Sequence, residues 1–121
     1  MERFDTDTFS AELEAAPENR QVGTRVLFEN DRVRVWELLL RPGERAPFHH
    51  HALDYFWTCV SAGEVLQRFA DGTMEQRSCA DGQTVFTPCA SEPVIHDLEN
   101  AGDTTLRFVT VELDPGSARE R

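Results

Sequence analysis

The stretch that decides the fold is PGERAPFHHHALDYFWTCVSAG, residues 42–63. It opens on the turn signal Pro42-Gly43 and ends in a run of aromatic and β-branched residues that is typical of a strand. Within it, His49 and His51 are two residues apart. Side chains alternate between faces along an extended chain, so these two imidazoles point the same way and His50 points the opposite way. A same-face pair of this kind has a good chelating geometry.

On both sides of this stretch, the chain consists of short strand-like segments separated by turn residues. Residues 32–40, 55–60, 65–70, 73–78, 84–87 and 104–113 all have the composition or the alternation of strands. Asp71-Gly72 separates two of them and predicts a two-residue hairpin of type I′. A chain of about eight short strands predicts an all-β sandwich or barrel, and barrel closure would remove exposed sheet edges.

The first 20 residues have a different character. Ala, Glu and Leu residues between Thr8 and Ala16 predict a short helix, with Asp7 as its N-cap and Pro17 as its stop. We therefore divide the chain into an N-terminal arm or short helix (1–20), a β-barrel (21–114) and a polar C-terminal tail (115–121).

Composition excludes several classes of partner and location. The net charge is −10 over 121 residues, which opposes binding to nucleic acids and to anionic membrane surfaces. No apolar run is long enough to span a membrane, and the acidic N-terminus does not resemble a signal peptide. The three cysteines form no CxxC pair, so we expect no disulfide scaffold and a reducing, cytoplasmic location.

A third histidine, His96, lies far along the chain in the strand-like segment Val94-Ile95-His96. If it faces the same cavity as His49 and His51, three neutral nitrogens converge. Such a set suits Fe(II), Mn(II), Ni(II) or Zn(II), and it leaves coordination positions free for a substrate or dioxygen. The alternative is a barrel in which these histidines only form hydrogen bonds within the cavity.

Two spaced patterns span roughly half of the chain. The first consists of Gly43, His49, His51, Phe56 and Gly63, and the second of Gly82, Pro88, His96 and Asn100. They resemble the two motifs of the cupin family, whose fold is a small jelly-roll barrel with its metal between the sheets. The resemblance implies that His49, His51 and His96 are metal ligands and that Asn100 is structural. The segments GTRVLFEN, HxxDY and HDLEN further resemble small cupins described as β-alanine degradation proteins.

The chain departs from the family pattern at two places. The family usually has a glutamate ligand where Phe56 stands, and phenylalanine cannot bind a metal. The resemblance then implies a three-histidine site, like that of thiol dioxygenases and diketone-cleaving cupins. Asp54 is an alternative oxygen ligand, although a hydrogen-bonding or turn role also suits it. Extra residues before His96 predict a longer loop over residues 89–93, at the rim of the cavity.

These observations predict a small metal-binding cupin with a small-molecule ligand in its barrel. The leading hypothesis is a non-haem Fe(II) dioxygenase that acts on a small organic acid, thiol or diketone, with Mn, Ni and Zn as other candidate metals. Tyr55 and Asp54 are the candidate catalytic residues, although Tyr55 also suits a packed barrel aromatic. The alternatives are a non-catalytic sensor or accessory protein, and a metal-assisted isomerase or lyase. The resemblance also implies a homodimer that pairs through an outer sheet face.

Overall fold

The computed structural model describes residues 2–114, which form two five-stranded antiparallel sheets. The strands are β1 (Glu2–Arg3), β2 (Arg25–Glu29), β3 (Val33–Leu40), β4 (Arg45–His51), β5 (Asp54–Ser61), β6 (Gly63–Arg68), β7 (Thr73–Cys79), β8 (Thr84–Thr87), β9 (Val94–Asn100) and β10 (Leu106–Leu113). Sheet I has the order β1-β7-β6-β9-β4, and sheet II has the order β2-β3-β10-β5-β8. The predicted all-β class is confirmed.

The core lies between the two sheets. Burial alternates strictly along β10, so that Leu106 and Phe108 face inward while Arg107 and Val109 face outward. The buried cluster comprises Leu38, Leu40, Cys59, Val65, Cys79, Leu106 and Phe108. Each large apolar side chain buried in this way contributes about 1.5–3 kcal/mol to folding. Four members of this cluster also line a cavity, so the core forms the floor of that cavity.

Two of the predicted turns show why glycine stands where it does. At residues 41–44, the Glu44 N–H donates to the Arg41 carbonyl over 2.9 Å, and Gly43 has φ +84°. At residues 69–73, Gly72 has φ +92° but Asp71 does not have a positive φ, so the predicted type I′ turn is wrong. The Phe69 N–H donates instead to the Thr73 carbonyl, which closes a three-residue loop with Gly72 as its left-handed residue.

The N-terminal segment is a docked arm with one short helix, α1 (Ser10–Ala15), between 3-10 turns at Thr6–Phe9 and Ala16–Glu18. The helix begins later than predicted because the Asp5 carboxylate, not that of Asp7, caps the preceding turn by accepting a hydrogen bond from the Asp7 N–H. The pairing of β1 with β7 was not predicted from the sequence.

The arm also covers the free edge of β4, which is the outermost strand of sheet I. The His50 N–H donates to the Asn19 carbonyl over 2.8 Å, and the Asn19 side-chain amide donates to the Phe48 carbonyl over 3.0 Å. The Phe48 N–H donates to the Glu12 carboxylate over 2.8 Å. Backbone groups that would otherwise form an exposed edge are therefore paired within the chain.

Three further predictions concern the cysteines, membrane-spanning segments and the C-terminal tail. Cys59, Cys79 and Cys89 are buried free thiols, in agreement with the absence of a disulfide scaffold. No helix within residues 2–114 combines the length and the apolar character that crossing a bilayer requires. The predicted polar tail, residues 115–121, lies outside the described residues.

Candidate metal centre

Strand pairing brings the three histidines together. β4 and β9 are antiparallel neighbours, and His49 lies directly opposite His96 in their register. His49 and His51 share the inner face of β4 by alternation, and both are buried, as is His96. His50 points outward, where its Nδ1 lies 3.2 Å from the Pro17 carbonyl oxygen of the arm. Neighbouring strands of one sheet thus supply all three imidazoles.

The three rings form one compact cluster. Their centroids are separated by 4.8 Å for His49–His51, 4.8 Å for His49–His96 and 5.0 Å for His51–His96. The Nε2 atoms of His49 and His51 are 3.1 Å apart. One ring nitrogen from each residue lies within 4.8 Å of the other two.

Two of the rings are fixed in orientation and tautomer by acceptors behind them. His49 Nδ1 donates to the Pro47 carbonyl over 2.7 Å, because a carbonyl oxygen can only accept. Gln67 Nε2 donates to the Glu75 carboxylate over 2.5 Å, which leaves Gln67 Oε1 to accept from His96 Nδ1 over 2.8 Å. Both histidines therefore carry their proton on Nδ1 and offer the Nε2 lone pair to the cluster.

The third ring, that of His51, is held by stacking. Its centroid lies 4.1 Å from that of Tyr55, at an interplanar angle of 16°. Its Nδ1 is buried and has no hydrogen-bond partner among residues 2–114. A buried polar nitrogen without a partner is unfavourable in a filled core, so this atom marks a place where a ligand or an ordered water would satisfy it.

Burial also keeps the cluster uncharged. Removal from water lowers the pKa of His49 and of His51, and it lowers the pKa of His96 to about 3. The neighbouring imidazoles lower the pKa of His51 and His96 further, because a second positive charge in the cluster would be repelled. At neutral pH the three rings are therefore neutral donors.

The cluster opens into a cavity of about 250 Å³ between the sheets. Most of its wall is apolar, with Trp57, Phe69 and Phe108 as the large aromatic members. The Tyr55 hydroxyl and Thr87 add polar groups, and burial raises the pKa of Tyr55 to about 12, so the phenol stays protonated. None of the residues that line the described cavity is acidic.

This donor set fits a divalent transition metal. Two nitrogens bound to one ion at about 2.0–2.1 Å lie roughly 2.8–3.4 Å apart for angles between 90° and the tetrahedral value, and the His49–His51 separation of 3.1 Å falls in that range. Neutral imidazole nitrogens are ligands that Fe, Mn, Ni and Zn accept. Three ligands on one side leave the cavity side of the site free for further ligands. The cluster and the fold together indicate that the site binds a divalent metal.

Solved structures of cupin proteins have the same fold as this chain. A cupin domain from Bordetella pertussis is 29% identical, has a TM-score of 0.66, and covers 74% of this chain and 88% of its own. The chain is a small cupin by fold. A double-stranded β-helix cupin from Methanocaldococcus jannaschii (16% identity, TM-score 0.60) covers 84% of this chain and 92% of its own. A cupin 2 conserved barrel protein from Salinispora arenicola (19%, 0.59) covers 79% and 78%.

These matches confirm the predicted resemblance at the level of the small cupin barrel. The more distant two, at 16% and 19% identity, show the fold alone. No family model and no curated protein matches the sequence. The assignment to the β-alanine degradation type therefore stays a prediction.

The candidate residues beside the histidines are placed differently from what the cupin motif suggests. Phe56 faces outward and pairs with the exposed Phe86, whereas its neighbour Tyr55 takes the inward position beside His51. The position at which the cupin motif has its glutamate ligand therefore points away from the cavity in this chain. Asp54 does not reach the cluster either: its carboxylate accepts a hydrogen bond from the Ala90 N–H over 3.0 Å and holds the loop between β8 and β9.

Other motif residues of this cupin have structural roles. The Asn100 side-chain amide donates to the carbonyls of Leu40 and Thr104, and its oxygen accepts from the Gly102 N–H. It thereby ties the end of β9 to β3 and to the turn before β10. Cys89, in the loop that was predicted to form a rim, is fully buried, and burial raises the pKa of its thiol to about 11.

Sequence reasoning missed Gln67 and Arg77, both of which line the cavity of this cupin. Gln67 lies opposite Glu75, and Arg77 lies opposite Val65, in the hairpin of β6 and β7. The register of that hairpin would have shown that Gln67, Glu75 and Arg77 share one face, but the predicted turn type set a different register. Register decides every inward side chain, because a shift of one residue reverses the face.

Proposed function

We propose that this cupin binds one divalent transition metal through His49, His51 and His96 and acts as a non-haem Fe(II) dioxygenase on a small organic acid, thiol or diketone. The observation that carries the proposal is the cluster of three buried, neutral imidazoles at the wall of an apolar cavity. A resident Fe(II) ion would supply dioxygen chemistry and would polarise a chelating substrate.

The chain's own residues would have four tasks. The three histidines hold the ion without neutralising its charge, which favours an anionic chelating substrate. Gln67 and the Pro47 carbonyl keep two of the rings in the binding tautomer. Trp57, Phe69 and Phe108 exclude water from the reacting groups. Tyr55, protonated and stacked on His51, offers a hydroxyl donor to a bound ligand.

The cytoplasm is the proposed location, because three buried free thiols and an Fe(II) site both suit a reducing compartment.

The first test is metal content. The purified chain is reconstituted anaerobically with Fe(II), desalted and analysed for iron. We expect one iron ion per chain in the unmodified protein and in His50→Gln, because the His50 ring lies outside the cavity. In His96→Gln we expect most of the bound iron to be lost. Equal iron in His50→Gln and His96→Gln would overturn the assignment of the ligands.

The second test is oxygen uptake by the Fe(II)-loaded protein with small thiol acids and with β-diketones such as pentane-2,4-dione. We expect uptake that depends on substrate and is lost in His96→Gln. Iron binding with no substrate-dependent uptake would reject the dioxygenase and favour the alternative, a non-catalytic metal-binding cupin.

A further inference from the structure

One charged side chain lines the described cavity outside the histidine cluster, and it is Arg77 of β7. Its partner in the strand register is Val65, and both residues line the cavity, with the Arg77 side chain 42% exposed at the cavity mouth. The histidines are neutral, so Arg77 brings the fixed positive charge of the cavity wall. In a protein of net charge −10, a cation at the mouth of an apolar cavity would attract anionic ligands to that cavity.

The guanidinium of Arg77 lies near Trp57 and forms only a long, partly exposed ion pair with Glu75. Its central carbon lies 5.9 Å from the centroid of the Trp57 ring, which forms another part of the cavity wall. Its Nη1 lies 3.7 Å from Glu75 Oε1, too far for a hydrogen bond, and that oxygen already accepts from Gln67.

Other arginines of the same sheet differ in this respect. Arg45 donates to both Glu12 and Asp97, and Arg68 donates to Asp97 and Glu99. Those guanidinium groups have carboxylates within hydrogen-bonding distance, whereas Arg77 keeps donors available for a ligand.

We propose that Arg77 binds the carboxylate of the substrate, and that the substrate is a small carboxylic acid with an apolar body. Its carboxylate would pair with the Arg77 guanidinium, its body would pack on Trp57 and the apolar wall, and its other end would reach the histidine cluster. Guanidinium and carboxylate match in bidentate geometry, which makes this pairing strong and specific. The assignment deepens the proposed function and rests on it for the role of the histidine end.

The test compares hexanoate with its uncharged analogue hexanamide by isothermal titration calorimetry on the full chain, both metal-free and loaded with Zn(II). We expect the unmodified protein to prefer hexanoate. Arg77→Gln should weaken hexanoate about tenfold in both metal states and leave hexanamide unchanged, because one charge-assisted pair is lost. Arg77→Lys should retain part of the preference, since the charge remains. Arg77→Met serves as a second neutral variant if Arg77→Gln does not fold.

The matched control is Arg25→Gln, which removes the same charge from the outer surface of sheet II, where Arg25 pairs with Glu37. It should leave both affinities unchanged. Absence of hexanoate binding to the unmodified protein, or equal losses for hexanoate and hexanamide in Arg77→Gln, would overturn the role of Arg77. Failure to bind Zn(II) would instead overturn the metal function, while the metal-free titrations would still decide the anion site.

Discussion

The outer faces of the two sheets differ in how far the rest of the chain covers them. The N-terminal arm covers sheet I, where Phe9 of the arm packs on Phe48 with ring centroids 5.5 Å apart. The outer face of sheet II has no such cover within residues 2–114, and Phe28 and Phe86 are each 55% exposed there.

Charge is organised differently on the two faces. On sheet I, Asp97 is fully buried and accepts hydrogen bonds from Arg45, from the Arg68 guanidinium and from the Arg68 N–H. The guanidinium groups of Arg45 and Arg68 also lie over the Phe9 ring, 4.6 and 5.1 Å from its centroid. On sheet II, the buried Glu37 accepts from Arg25 and Arg107, whose side chains are 67% and 41% exposed.

The difference follows the position of the candidate site. Phe48 and Asp97 are the chain neighbours of His49 and His96, so the arm and its ion pairs lie directly behind two of the three candidate ligands. Sheet II contributes wall residues to the cavity but no histidine. The N-terminal arm therefore covers the face behind the ligands, whereas the outer face of sheet II exposes apolar side chains to solvent.

The largest effect should come from Asp97→Asn. This change removes the charge that compensates Arg45 and Arg68 in a buried network, and we expect the free energy of unfolding to fall by about 3 kcal/mol. Urea unfolding monitored by circular dichroism measures the change. The control is Asp103→Asn, in an exposed turn, which should have almost no effect. Equal stability of the two variants would show that the network behind the ligands contributes nothing.

A smaller and pH-dependent effect is expected from Glu12→Gln. Burial raises the pKa of Glu12, but hydrogen bonds from Arg45 and the Phe48 N–H outweigh it, so the pKa is lowered below its ordinary 4.5. The carboxylate therefore stabilises the fold above pH 4.5, and that contribution is lost as the pH falls through the lowered pKa. At neutral pH we expect a loss of about 1–2 kcal/mol relative to the unmodified protein.

Unfolding curves at several pH values test this, with the exposed Glu14→Gln as control. The difference between Glu12→Gln and the unmodified protein should shrink as the medium becomes acidic. A difference that does not change with pH would contradict the ionic role of Glu12.

The open face of sheet II should decide the oligomeric state. The homodimer predicted from the sequence would use its exposed apolar side chains, among them Phe28, Val60 and Phe86. We expect Phe86→Ser to shift the protein toward the monomer in analytical ultracentrifugation, with a change in monomer stability within about 0.5 kcal/mol. Leu13→Ser, on the arm, is the comparison that should leave assembly unchanged. A monomeric unmodified protein would rule out this use of the face.

The smallest effect is expected at the exposed pair of Arg34 and Glu29, 2.6 Å apart on sheet II. Both side chains are about half exposed, so solvent screens the attraction. Arg34→Gln should change the free energy of unfolding by less than about 0.5 kcal/mol. A loss as large as that of Asp97→Asn would mean that exposure does not determine how much an ion pair stabilises this fold.

Local patterns predicted the all-β class and the common face of His49 and His51. Alternation along Arg32–Leu40 and residues 104–113 gave two central strands of sheet II, and the spacing of His49 and His51 gave their common face. That His96 joins them depends on pairing between β4 and β9, which the cupin resemblance implied and the residues alone did not.

What the sequence did not reveal depends on contacts between distant segments. The docking of Phe9 and Glu12 on β4 leaves no local signal, because an arm of this composition also suits a solvated helix. The inward direction of Tyr55 and the outward direction of Phe56 follow from where β5 begins to pair with β10, at Asp54 opposite Leu113. The inward direction of Gln67 and Arg77 depends on the register of the β6–β7 hairpin. That register follows from the turn, in which only Gly72 has a positive φ.

The central place of β10 in sheet II has a consequence for biosynthesis. This strand lies between β3 and β5, yet it follows both in the order of translation. During synthesis on the ribosome, the backbone groups of β3 and β5 that pair with β10 stay unpaired until residues 106–113 emerge. Such non-local pairing slows folding and exposes the nascent chain to aggregation. We expect the cellular yield of this small barrel to depend on chaperones that shield those two edges.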